Sequence, residues 1–132
     1  MSRMRAAAAG AVAALAWAAV EPLDRRLLRH DYSDVAVLGK AITRGAGWRP
    51  AGLALHAANG AVFALAARRL RQPPLRLAVV EHMTLFPLGY AVDRLHPARG
   101  EAGLAPLWSK RAFAQATWRH LLFGAILARL AR

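Results

Sequence analysis

An all-α membrane protein is the fold this sequence predicts: a four-transmembrane-helix bundle with a short interfacial amphipathic helix between the first and second spans. Three observations carry that expectation. The chain of 132 residues is 57% hydrophobic, yet it holds 19 Lys+Arg against 7 Asp+Glu, a formal net charge of +12. Its apolar residues gather into four blocks, Ala6–Leu23, Pro50–Ala67, Leu75–Val92 and Ala112–Ala128. At ~1.5 Å rise per residue each block is roughly 26 Å long, close to the ~30 Å hydrocarbon core of a bilayer. The basic residues collect between these blocks instead of alternating with them.

The first helix is expected over about residues 6–23. Arg3 and Arg5 followed by an Ala-rich run resemble a secretory signal, and Ala16-Trp17-Ala18 fits a small-x-small cleavage pattern. The run continues past that point into Glu21-Pro22 without a leucine-rich centre, so an uncleaved span is expected. The next connection is too patterned for plain loop. Ser33 or Asp34 can cap a helix over about 34–44, in which Val35, Leu38 and Ile42 share one face while Lys40 and Arg44 form a basic edge. Packing of this helix against the bundle is the alternative. Gly45-Ala46-Gly47 stops it.

The second span, about 50–70, opens on Pro50, whose missing N–H costs nothing in a first turn. Pro73-Pro74 separates it from the third span, about 75–95, and so short a link makes the two antiparallel neighbours. Pro22 and Pro87 lie inside apolar runs, where kinks are expected. Ser109 caps the fourth span, about 110–130. Trp48 and Trp108 precede the second and fourth spans as interfacial anchors.

Several classes are excluded. The apolar fraction rules out disorder. The absence of cysteine removes disulfide scaffolds, zinc ribbons and thiolate chemistry. A soluble or peripheral helical bundle is the alternative to the membrane fold, but such a bundle needs a polar face on every helix, and Ala6–Val20 and Ala51–Ala67 have none beyond His56 and Asn59. Nucleic acid is not an expected partner, because the arginines are dispersed over helix ends on two sides instead of lining one face. The partner expected is the lipid bilayer. With four spans, the two termini and the Arg68–Arg76 connection share a side, and the concentration of arginines there favours cytoplasmic termini.

Ionisable residues at membrane depth are functional candidates by default. The polar cluster read from the sequence comprises His56, Asn59, Glu81, His82, Gln115, Arg119 and His120. Glu81 and Arg119 fall about 5 Å apart in depth when the third and fourth helices run antiparallel, so an intramembrane Glu81–Arg119 ion pair is expected. Small residues at Gly10, Ala14, Gly52, Gly60 and Gly124 permit close helix approach, and Gly10/Ala14/Ala18 and Gly124/Ala128 offer faces for self-association. No cofactor is predicted. His56, His82 and His120 are candidate ligands for haem or a divalent metal in an alternative reading, although no HxxxH, ExxH or CxxCH motif accompanies them. A second alternative is a lipid-acting enzyme with Glu21, Asp24, His30-Asp31 and Asp93–His96 at one interface, where ordinary helix-end charge is the simpler reading.

Leu53–Ala67, with His56, Asn59 and Gly60, resembles small multi-pass inner-membrane proteins of high-GC bacteria, and so does the closing run Phe113–Gly124. Ala128 departs from the second glycine with which those proteins often continue. The resemblance implies a four-helix bacterial cytoplasmic-membrane protein and carries over no catalytic residue. A non-enzymatic protein is expected, self-associating or a subunit of a larger membrane complex.

Overall fold

The computed structural model describes residues 1–131. The described chain is all-α, with no strand beyond one isolated bridge between Tyr32 and Leu104. Helix α1 spans Arg3–Leu27, α2 Asp34–Ile42, α3 Trp48–Leu70, α4 Pro74–Leu85, α5 Gly89–Leu95 and α6 Lys110–Leu130. A single 3-10 turn, Phe86–Leu88, joins α4 to α5 at Pro87, where the missing N–H breaks the α ladder. The third apolar block is therefore two helices in line. Pro22 does not have that effect, and α1 runs past it to Leu27. Side-chain oxygens of Ser2, Ser33 and Ser109 accept the first free N–H groups of α1, α2 and α6.

The long helices form an open arc in the order α3, α1, α6, α4, with α3 and α4 barely touching, and α2 lies across α3. Backbone crossings replace large side chains at the contacts. A Cβ on Gly10 would stand 2.1 Å from the Gly60 carbonyl oxygen, and one on Gly60 would meet the Gly10 carbonyl at 2.3 Å and Ala14 Cβ at 2.6 Å. Gly52 takes the α2 backbone at Val35, 2.1 Å from its would-be Cβ, and Gly124 takes Leu75 and Ala78 of α4. All five expected packing residues thus serve contacts inside one chain. The faces Gly10/Ala14 and Gly124 are not free for a second copy, which corrects the expectation that they carry self-association. A helix of the same chain occupies each small-residue face before a separate molecule can.

The polarity of the structure is inverted. Val62 is 66% exposed, Leu23 58%, Val12 53% and Val80 52%, whereas Arg119 and Gln115 are 0% exposed, Glu21 3% and Asp24 4%. Ala9, Ala13, Ala14, Trp17, Phe63, Ala64, Ala67, Ala78, Phe123 and Leu127 form the apolar part of the interior. Two helices, α1 and α3, are long and apolar enough to cross a membrane.

The connections at the α1 C-terminal end are knitted together. Asp31 accepts the Gly103 N–H at 2.8 Å and pairs with Arg25, while the Asp31 carbonyl accepts Ala105 N–H. Asp93 accepts both Leu107 N–H and Trp108 N–H. His96 donates to the Val37 carbonyl at 2.8 Å and His30 to the Pro106 carbonyl at 3.0 Å. Of the acids and histidines read as possible head-group catalysts, His30, Asp31, Asp93 and His96 are therefore committed to fastening loops. Lys40, expected with Arg44 on a basic edge, is 8% exposed. Its ammonium donates to Glu101 at 3.0 Å and to the Ala102 carbonyl at 2.9 Å, and stands 5.2 Å from the Trp48 ring. The 96–109 connection, which the linear pattern leaves unstructured, folds back to supply those partners. The exposed end of the intended apolar stripe is Ile42, at 68%.

Candidate functional site

Arg119 lies at the middle of α6 with its guanidinium wholly enclosed. Its Nε and Nη2 grip Asp24 of α1 bidentately, at 2.7 and 2.6 Å. Nη1 donates to Asp34 at the start of α2 at 3.0 Å, and Nη2 also donates to the Tyr32 carbonyl at 2.8 Å. Glu21 stands 3.6 Å from Nη1, and the guanidinium lies 4.8 Å from the Tyr32 ring centroid. Each carboxylate has further donors. Glu21 accepts Ser33 Oγ and the Asp34 N–H, Asp24 accepts Gln115 Nε2 at 3.1 Å, and Asp34 accepts Trp17 Nε1 at 3.0 Å and the Tyr32 hydroxyl. One guanidinium faces three carboxylates, and the N–H groups opening α2 help to offset the excess negative charge. The cluster ties α1, α2 and α6 together. Burial pushes the Asp34 carboxyl up, but Arg119, the nearby histidines and the Tyr32 hydroxyl together outweigh it and hold Asp34 below the usual carboxylate range.

The expected Glu81–Arg119 pair does not form. Helical side chains lean toward their own N-terminus. Arg119 therefore reaches toward the Lys110 end of α6, where Asp24 and Asp34 wait, and Glu81 leans toward the Pro74 end of antiparallel α4. Nearness in depth is outweighed by opposite lean. Glu81 faces His120 instead, with 3.9 Å between Oε2 and Nε2.

Beside this ionic lock lies a cavity of about 300 Å³. Its walls come from α1 (Ala14, Trp17), α3 (His56, Asn59, Gly60, Phe63), α4 (Glu81, His82) and α6 (Ala116, His120, Phe123), and α2 with Leu107 closes one end. The arc of helices leaves it open at the seam between α3 and α4. Trp17 is the central wall, with ring centroids 5.2 Å from His56 and 4.6 Å from His120. His82 and His120 stack at 4.8 Å.

Of the residues read from the sequence, His56, Asn59, Glu81, His82 and His120 line the cavity. Gln115 and Arg119 belong to the ionic lock next to it, Gln115 spanning Asp24 and the His30 carbonyl. Trp48 lies half-buried against the Ala36–Leu104 cluster, and Trp108 is 49% exposed and packs on Phe86. Among the described residues no group of three or more His, Asp or Glu is arranged to hold a metal ion. Trp17 stands between His56 and His120, and two ring nitrogens are already used, because His82 Nε2 binds Thr117 Oγ1 at 2.9 Å and His120 Nδ1 donates to the Ala116 carbonyl at 2.7 Å.

Sequence reasoning missed Trp17, Tyr32 and the full partnership of Arg119. The signal for Glu21 and Asp24 was their i, i+3 spacing, which places both on one face of α1. Asp34 read as a cap alone, since its acceptance from Trp17 and Arg119 depends on a loop reversal that periodicity does not record.

Fold and site together define a helical protein with many large apolar side chains exposed, a buried charged cluster and a cavity beside it. Comparison with protein-family models, with curated proteins and with solved structures finds no match to the chain.

Proposed function

We propose that the chain is a four-span integral protein of the bacterial cytoplasmic membrane that binds a lipid-soluble small molecule, acting as a receptor or carrier and not as an enzyme. The cavity open at the α3–α4 seam is the observation that carries this reading. An opening between two helices at membrane depth admits a ligand from the hydrocarbon phase, and apolar walls with a few convergent polar groups are the usual make-up of a small-molecule site. Membrane residence rests on the inverted polarity: exposed leucines and valines lie outside and an ion-pair cluster inside. In this arrangement α1, α3, the α4–α5 pair and α6 are the spans, and α2 is the interfacial helix.

Charge favours cytoplasmic termini. The end of the bundle with Arg3, Arg5, Arg68, Arg69, Arg71, Arg76 and Arg129 holds no Asp or Glu side chain among the described residues, whereas the opposite end pairs Arg25 with Asp31 and Lys40 with Glu101. Few polar atoms of the cavity are placed for acid–base work on a bound molecule, because Asp34, Tyr32 and His82 are engaged by their neighbours.

Binding is tested with the protein in nanodiscs and the apolar fluorescent probe N-phenyl-1-naphthylamine. Wild-type protein is expected to take up the probe saturably, above the uptake of empty discs, with partial quenching of its tryptophan fluorescence. Asn59→Trp, which places a bulky ring at the exposed mouth, is expected to reduce that uptake by roughly tenfold or more, as steric loss of a small-ligand site does. Equal uptake by both proteins would remove the cavity from the account.

A further inference from the structure

We infer that the ligand taken up by the cavity carries a protonated amine: a lipophilic organic ammonium ion with an aromatic or branched apolar body. This rests on the binding reading above and names its ligand class. The argument begins with what the cavity lacks. No lysine or arginine lines it, and the neighbouring Arg119 has its donors engaged by Asp24, Asp34 and the Tyr32 carbonyl. A phosphate or carboxylate head group would meet Glu81 and Asp34 with no free cation to receive it.

The open polar atoms are acceptors. His120 Nδ1 faces the Ala116 carbonyl, which can only accept, so that nitrogen carries the proton and Nε2 of the neutral ring presents a lone pair. Glu81 has that Nε2 as its near neighbour, at 3.9 Å, and no arginine or lysine partner among the described residues. His56 is 7% exposed, and its Nε2 has no hydrogen-bond partner among the described residues. Thr117 gives its hydroxyl proton to the Phe113 carbonyl at 2.7 Å, so its oxygen accepts from His82, and His82 Nε2 is thereby spent as a donor.

A buried polar atom without a partner is unfavourable, and a group of acceptors around one carboxylate is satisfied by a donor bearing positive charge. An ammonium group supplies up to three N–H donors together with that charge. The aromatic walls complete the fit. Trp17, Phe63, Phe86 and Phe123 line the same cavity, and the faces of such rings attract cations while their bodies pack against an apolar tail. Glu81 supplies the counter-charge, His120 Nε2 beside it accepts from the ammonium, and the rings hold the body.

The test uses three ligands of one shape, 4-phenylbutylamine, 4-phenylbutanol and 4-phenylbutyrate, which present an ammonium, a hydroxyl and a carboxylate. Each is titrated against N-phenyl-1-naphthylamine bound to the protein in zwitterionic nanodiscs, with empty discs correcting for partition into lipid. The amine is expected to displace the probe at a concentration about tenfold below the alcohol, as a charge-assisted hydrogen bond supports, with the carboxylate weakest. Glu81→Gln is expected to bring the amine-to-alcohol ratio close to one, and Glu81→Asp to keep most of it, with circular dichroism reporting the fold of both variants. Displacement by the carboxylate at or below the concentration of the amine overturns the assignment, and so does an unchanged ratio in folded Glu81→Gln. Those outcomes leave saturable probe uptake standing, whereas failure of probe uptake itself removes the binding reading beneath.

Discussion

Replacing Arg119 with methionine is expected to destabilise the protein by about 3–5 kcal/mol, the usual cost of stranding one side of a buried ion pair. Asp24 loses both of its guanidinium bonds, Asp34 loses one, and Glu21 loses the nearest cation, all inside the bundle. The helices most affected are those tied by the lock, so α2 should detach from α1 and α6 before α1 parts from α3. Unfolding by sodium dodecyl sulfate in mixed micelles, followed by tryptophan fluorescence and circular dichroism, measures the loss. Arg119→Lys keeps the charge but not the planar fork that grips Asp24, and its stability should fall between the two. Combining Arg119→Met with Glu21→Gln and Asp24→Asn removes the stranded charge, and should recover part of the deficit. Stability of Arg119→Met within about 0.5 kcal/mol of wild type, the range of an ordinary surface substitution, would contradict the buried lock.

The second large effect is expected from a single methyl group. Gly60→Ala places its Cβ 2.3 Å from the Gly10 carbonyl oxygen, far inside van der Waals contact, and backbone cannot swing aside as a flexible side chain can. The α1–α3 crossing must widen, and the packing of Trp17 and Phe63 around it loosens. Overpacking of this kind typically costs ~1–3 kcal/mol, occasionally more. Gly45→Ala is the matched control, because the nearest atom to its Cβ is Thr43 Oγ1 at 3.6 Å. The two variants should therefore differ clearly in the same unfolding assay. Gly10→Ala strains the same crossing, so combining it with Gly60→Ala should cost less than the sum of the two.

These two sites mark how far the amino-acid order alone could be read. Helical segments followed from apolar blocks and capping residues, and Ser33 and Ser109 were legible as caps because their role is local. Gly10, Gly52, Gly60 and Gly124 were legible as close-approach positions, but not their partners, since spacing along one helix says nothing about which helix comes to meet it. The same limit applied to Arg119. Its isolation within an apolar block marked it as unusual, while its choice of Asp24 and Asp34 over Glu81 depended on the direction in which helical side chains lean. Lys40 was misread for a related reason: its burial comes from the Glu101–Ala102 turn, some sixty residues away along the chain. Cavity-lining histidines were legible as a group, yet the commitments of His82 and His120 to Thr117 and Ala116 were visible only in three dimensions.

Opposite placement of the two sets of connections tests the account most directly, and the absence of native cysteine makes the measurement clean. Single substitutions Gly45→Cys, Gln72→Cys, Arg99→Cys and Arg129→Cys sample four points along the chain. They are labelled with a membrane-impermeant maleimide in intact bacterial spheroplasts, and again after permeabilisation. Four spans with cytoplasmic termini predict that Gly45→Cys and Arg99→Cys react in intact cells, and that Gln72→Cys and Arg129→Cys react only once the membrane is opened. Reaction of all four positions from the same side, or release of the protein from membranes by alkaline carbonate, would contradict the four-span bundle.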